Sequence, residues 1–166
     1  MSIQRIAKHL LFTDWQLKRA FTRDTLDAIQ LAIQASEITH CGEIRFVVEG
    51  ALDGAALWSG QSSSERAIEV FSQLRVWDTE HNNGVLIYVL LADHAVEIVA
   101  DRGIHVHAGV RTWKPICQQM EKSFAQSHYQ SGALQGIAAV TRALSLHFPH
   151  HGQRSNELPD RPTLLF

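Results

Sequence analysis

The sequence predicts an α/β fold, a three-layer α/β/α sandwich on a mixed sheet, and three observations predict it. The segment Glu43–Glu49 reads E-I-R-F-V-V-E, a β-branched and aromatic run of strand type. Residues 84–92 form an unbroken apolar run, the pattern of a central strand covered on both faces. Between them Ser62 and Glu65 make a capping box at the head of an amphipathic helix. Strand, helix and strand in that order form a βαβ unit with a right-handed crossover.

The elements follow in order. Ile3, Ile6, Leu10 and Leu11 share one helical face, Thr13 and Asp14 interrupt with cap chemistry, and residues 15–21 continue as a short helix. Residues 1–21 are therefore an N-terminal helical extension packed on the main body, residues 22–148. Thr22 is a good N-cap, with Asp24 in the first turn of a helix running to about residue 39. One stripe holds Leu26, Ile29 and Ile33, a second Leu31, Ala35 and Ile38, which predicts a broadly buried helix stopped at Gly42. On the first strand Glu43, Arg45 and Val47 face one way and Ile44, Phe46 and Val48 the other. Residues 50–60 form a small-residue loop whose Leu52, Leu57 and Trp58 are expected to pack over the sheet edge.

Ala67, Val70, Phe71 and Leu74 make the inner face of the crossover helix, and residues 77–84 are a polar connection. Asp93 and His94 form a tight turn into a return strand at residues 95–100, giving a hairpin. A polar stretch to Arg111 follows. Thr112 is then expected to cap a helix with Trp113, Ile116, Met120 and Phe124 inward and Pro115 in its first turn. The last helix spans about residues 131–148, with Ile137, Val140, Leu144 and Phe148 inward, and Pro149 ends it. Residues 149–166 lack periodicity and carry three prolines, so an extended or disordered tail is expected.

With 166 residues, 45% hydrophobic and 19% charged, the chain suits one folded domain. A net charge of −2 with interspersed signs lacks the basic stripe that drives nucleic-acid binding, and no polybasic membrane anchor is present. The N-terminus has no signal-peptide pattern, and no apolar run is long enough to insert in a membrane, so a cytoplasmic location is expected. Cys41 and Cys117 do not make a disulfide framework; buried thiols in a reducing compartment are expected.

At Asn82-Asn83-Gly84-Val85-Leu86 and at Ala100-Asp101-Arg102-Gly103-Ile104 the chain resembles the TPM domain family over roughly residues 22–148. The family's usual motifs are D-N-G-V-L entering the central strand and a G-Y-G-L-E-like run after the next strand. The ending Asn156-Glu157-Leu158-Pro159-Asp160-Arg161-Pro162 resembles a signal-less bacterial branch. The resemblance implies an acid phosphatase-like activity in some members and a divalent cation, often Ca²⁺, held by acidic residues near these motifs. Asn82 stands for the first motif's aspartate, while Asp101, Arg102 and His105 replace the second motif's glycine, tyrosine and glutamate.

Topology brings the motifs together. The first two strands run parallel and the third returns, so Glu43, Arg45, Asn82, Asn83, Asp101, Arg102 and His105 share one end of the sheet. In a functional reading Glu43 and Asp101, with Asn82 and Asn83, are oxygen ligands for Ca²⁺ or another divalent cation. Arg102 or Arg45 then orients a phosphate oxygen, and His105 is a general acid or base. In the structural reading Asn-Asn-Gly is a turn, Asp101 and Arg102 cap strand ends or pair with each other, and Glu43 pairs with Arg45. His105 and His107 would face one side if extended, but no third zinc ligand is placed by spacing. His147, His150 and His151 straddle a helix end, where a cation near the C-terminus accounts for them as well as a metal does. Ser62 to Ser64 lack a nucleophile elbow and residues 50–60 lack a phosphate-loop lysine. The substitutions at Asn82 and His105 favour a non-catalytic interaction or regulatory module with a protein partner. The alternative is a cation-binding, acid phosphatase-like hydrolase using Glu43, Asn82, Asn83 and Asp101.

Overall fold

A capped helix, a strand and a crossover helix open the main body as the sequence patterns require. The computed structural model describes residues 2–149 and 156–166. The helices are α1 (Ile3–Leu10), α2 (Asp14–Ala20), α3 (Arg23–Glu37), α4 (Gly54–Trp58), α5 (Ser63–Gln73), α6 (Arg102–Ala108), α7 (Val110–Ala125) and α8 (Tyr129–His147). The strands are β1 (Glu43–Glu49), β2 (Gly84–Leu90), β3 (Ala95–Ala100) and β4 (Thr163–Leu165). Among the described residues they form one mixed sheet in the order β3-β2-β1-β4. β1 is parallel to β2, with Glu43 opposite Gly84, and parallel to β4; β2 and β3 are antiparallel, with Val85 opposite Ala100.

Strand alternation sorts the core into two layers. Ile44, Phe46 and Val48 of β1 join Val85, Ile87 and Val89 of β2 against α3, α7 and α8. On the other face Val47, Leu86, Tyr88 and Leu90 pack with Ala67, Val70 and Phe71 of α5 and with Leu52 and Leu57. Each such side chain contributes about 1.5–3 kcal/mol on full burial, so this two-faced burial dominates the fold's stability. The N-terminal helices close the far end of the sheet. Leu17 and Phe21 enter the first cluster and Ile6 the second. A side chain at Gly50 would meet Phe12 at 2.9 Å and Leu17 at 3.3 Å, so that glycine lets α2 approach the end of β1.

Several expectations are corrected. The polar stretch after Gly103 is the helix α6, capped by Asp101, whose Oδ1 accepts from Arg102 N at 2.7 Å. Gly109, at φ 67°, breaks the chain between α6 and α7. α7 therefore begins at Val110; Thr112 is inside it and donates to Ala108 O, and Pro115 lies beyond the first turn. On α3 the second stripe faces solvent, with Leu31 66% and Ile38 75% exposed, because α8 covers only one side. Trp58 ends the short α4 and is 67% exposed, while Leu52 and Leu57 are buried. Cys41 and Cys117 are half-buried rather than buried; burial, with the nearby charges of Glu97 and Glu121, pushes the Cys117 thiol up to about 12.

The C-terminal segment also departs from a structureless tail. Residues 156–166 run alongside β1 at the sheet's edge and end in β4, which pairs with β1 from Val47 to Glu49. Arg45 holds this segment by donating to the carbonyls of Pro159 and Arg161 and to Thr163 Oγ1. Burial pulls the Arg45 guanidinium below its ordinary value, against the charge of Asp160. His150 and His151, and the tail expectation for residues 150–155, lie outside the described residues.

Candidate functional site

The parallel register brings the starts of β1 and β2 and the end of β3 to one edge. Glu43 N donates to Asn83 O at 3.0 Å, and Asp101 N donates to Gly84 O at 2.9 Å. Glu43, Asn83 and Asp101 are all buried there. Two glycines permit the crowding. A side chain at Gly84 would lie 1.9 Å from Val76 O, and one at Gly103 2.5 Å from Asn82 O. Asn82 itself has φ 51°, a left-handed conformation that asparagine tolerates.

The polar atoms of this edge fall into two groups. Most are engaged in holding the fold. Asn83 Nδ2 donates to Cys41 O, and Asn83 N donates to Thr79 Oγ1 at 3.0 Å. Glu43 Oε2 accepts from Leu158 N at 3.3 Å, Glu37 Oε1 from Ile44 N at 3.3 Å, and Asn82 Oδ1 from Arg102 Nε at 3.3 Å. Two oxygens remain: Asn83 Oδ1 and Asp101 Oδ2 are buried without a hydrogen-bond partner. An unpartnered buried carboxylate oxygen is costly, and oxygens of this kind suit a hard cation or an ordered water. Among the described residues no group of three or more His, Cys, Asp or Glu side chains is placed to hold a metal.

The remaining expected site residues lie outward. Arg102 and His105 are exposed on α6. His105 and His107 sit two apart on a helix, about 200° around its axis, so they do not face one side. The His107 ring instead packs edge-on against Phe148 at 5.5 Å. Sequence reasoning missed Thr79, which anchors the Asn83 amide, and Glu157, whose Oε2 accepts from Glu80 N at 2.9 Å. Both act through main-chain contacts that carry no spacing signal.

The opposite end of the sheet, beyond the carboxyl ends of β1, β2 and β4, holds two ionic networks and a groove. Arg66 grips Glu49 through Nε at 2.9 Å and Nη2 at 2.9 Å, and the Tyr88 hydroxyl donates to Glu49 Oε2 at 2.5 Å. Burial and the Glu49 charge hold the Tyr88 phenol well above its ordinary value. Nearby, Arg5 Nη2 donates to Asp93 Oδ2 at 2.7 Å and to Gln61 O at 2.7 Å. Leu52 N donates to His9 Nδ1 at 3.0 Å, so the proton sits on Nε2, which donates to Asp93 Oδ1 at 2.9 Å. Burial works to raise the Asp93 carboxyl, but the hydrogen bonds from Arg5 and His9 prevail and hold it below the ordinary range. These contacts fix α1 against the body and leave a groove of about 720 Å³ between α1, α2 and the β2–β3 turn.

A mixed sheet with a helical crossover between parallel strands, a hairpin and helices on both faces defines an α/β module whose motif residues gather at one edge. The TPM domain model matches residues 16–143, and the chain belongs to that family. It is similar to the BA42 protein of the psychrophilic bacterium Bizionia argentinensis, known from an NMR structure. The identity is 29%, the match covers 87% of this chain and 94% of that one, and the TM-score is 0.74. It also shares its fold with the N-terminal domain of a P. gingivalis protein, at 17% identity and TM-score 0.64, over 86% of this chain and 95% of that one. No curated protein matches the chain.

Proposed function

We propose that this TPM domain protein is a non-catalytic interaction or regulatory module. The observation that supports it is the use of the motif edge as a structural joint. Asn83 ties β2 to the chain before β1, Asp101 caps α6, Asn82 receives Arg102, and the returning segment donates to Glu43. Groups committed in this way are not poised to bind a phosphate and move its protons. The exposed His105 has the motif edge behind it on α6 and no fixed orienting partner in the hydrogen bonds described.

A second reading is favoured by one observation, the unpartnered oxygens of Asn83 and Asp101. Here the two oxygens, with water, hold Ca²⁺ or another divalent cation, which when bound supplies positive charge to a phosphate oxygen. Arg102 would then orient the phosphate, a water would attack phosphorus as the ester P–O bond breaks, and His105 would donate a proton to the departing oxygen. Hydrolysis of p-nitrophenyl phosphate with added Ca²⁺ or Mg²⁺ separates the two. The module reading expects no turnover that depends on Asp101 or His105. Turnover that is abolished in Asp101→Asn and His105→Ala, with folding intact, establishes the hydrolase instead.

A further inference from the structure

We propose that the groove past the carboxyl end of β2, walled by α1 and α2, binds an acidic peptide segment that carries a large apolar side chain. This inference names the partner chemistry for the interaction module and rests on that reading.

Position is the first support. In open α/β sheets, ligands gather outside the carboxyl ends of the strands, and the groove opens just past the carboxyl end of the central strand β2. The buried Leu91 and Ala92, just past β2, line the groove, whose volume of about 720 Å³ falls in the range of ligand clefts. Two of the non-glycine residues with left-handed backbone, His94 at φ 54° and Ser127 at φ 61°, lie on its rim. Such conformations concentrate at binding surfaces.

Chemistry is the second. Leu11 and Trp15 line the groove yet are 75% and 64% exposed. Large apolar groups left in water beside a concavity mark a docking surface, and Trp and Arg are the residue types that anchor such interfaces. Arg19 lies over the Trp15 ring at 5.2 Å, which holds indole and guanidinium together as one preformed wall.

Charge selects the occupant. Lys8, Arg19 and His94 line the groove and no carboxylate does. The first 23 residues hold five Lys or Arg and one acid, a net of +4; the rest of the chain holds ten and sixteen, a net of −6. A basic lobe on an acidic body attracts an acidic partner there and repels it elsewhere. Two of the lobe's cations, Lys8 and Arg19, line a concave cleft rather than a flat or convex face, which suits a peptide better than a bilayer. Part of the wall (Lys8, Leu11, Phe12, Trp15) precedes the family-matched residues 16–143, so the N-terminal extension completes a cleft whose remaining wall, Arg19 and His94 included, lies in the matched residues.

The test is fluorescence anisotropy of the full chain with a labelled peptide of alternating Glu and Asp around a central Trp-Leu pair. A same-length peptide with Lys for every acid is the control, and phosphatidylserine vesicles are a separate arm. The acidic peptide is expected to bind, with affinity falling as salt rises. Trp15→Ala and the double variant Lys8→Glu/Arg19→Glu should each weaken it about tenfold or more. All three positions are exposed, so the melting temperature should hold, and Asp101→Asn should bind as wild type does. Absence of binding, equal binding of the Lys peptide, or affinity unchanged in both groove variants overturns the proposal. Vesicle binding lost in those variants, without peptide binding, overturns it in favour of a membrane surface. A failed peptide with no Asp101-dependent hydrolysis refutes the groove and leaves the module reading standing.

Discussion

Replacing Arg66 by alanine isolates the buried ion pair beneath the C-terminal strand. The Arg66 side chain is 15% exposed and that of Glu49 6%, and the two share the bidentate contact described above. Removing the guanidinium strands a carboxylate in the interior with the Tyr88 hydroxyl as its remaining described donor. Breaking one side of such a pair costs about 3–5 kcal/mol. The additional contact of Arg66 with Glu69, at 3.1 Å, adds little because Glu69 is 42% exposed. For a domain of this size each kcal/mol moves the melting temperature by about 2–4 °C, so Arg66→Ala should melt about 6–20 °C lower. Urea unfolding gives the free energy directly, with an unchanged slope showing that the native state keeps its compactness. Replacing both partners, Glu49→Leu with Arg66→Met, should recover most of the loss, since no uncompensated charge then remains. A loss below about 1 kcal/mol in Arg66→Ala would refute the reasoning, because that is the value of a solvated surface pair.

Further outcomes follow from the same contacts. The Asp93 carboxyl is held below its unfolded value, so its contribution is complete above the ordinary carboxylate range and disappears as pH falls through the lower folded value. Melting curves from neutral to acid pH should therefore fall more steeply in wild type than in Asp93→Asn; parallel curves would show that the Arg5 and His9 contacts are not maintained in solution. Gly84→Ala drives a methyl into Val76 O and should cost about 1–3 kcal/mol of unfolding free energy, whereas a neutral result would mean that the 76–84 connection moves freely.

The strands β1 and β2 were legible because each carries its own signal. In β1 the alternation assigns residues to the two faces, and in β2 the continuous apolar run reports cover on both. Parallel and antiparallel pairing then places Glu43, Asn83 and Asp101 at one edge without any further information. The helix α6 was not legible. Its apolar residues Ile104 and Val106 are two apart, which is not a helical spacing, and the helix depends on the Asp101 cap and the close fit of Gly103 under Asn82. β4 has three residues and is set by main-chain pairing and by Arg45, a contact across more than a hundred residues. Leu31 and Ile38 misled because apolar residues are tolerated on a surface, so an apolar stripe does not by itself require a partner. The groove was hidden by arithmetic: a whole-chain charge of −2 conceals a basic N-terminal lobe on an acidic body.

The most direct test of which end of the sheet receives ligands is an amide NMR titration of the full chain. Inorganic phosphate is added in the presence of Mg²⁺ or Ca²⁺, and the acidic peptide is added to a second sample. The expected result is that phosphate leaves the amides of Asn83, Gly84 and Arg102 in place, while the peptide shifts those of Leu11, Trp15 and His94. Saturable phosphate-dependent shifts at Asn83, Gly84 and Arg102, with the groove amides silent, would contradict the non-catalytic module and return the motif edge to a phosphate-binding site.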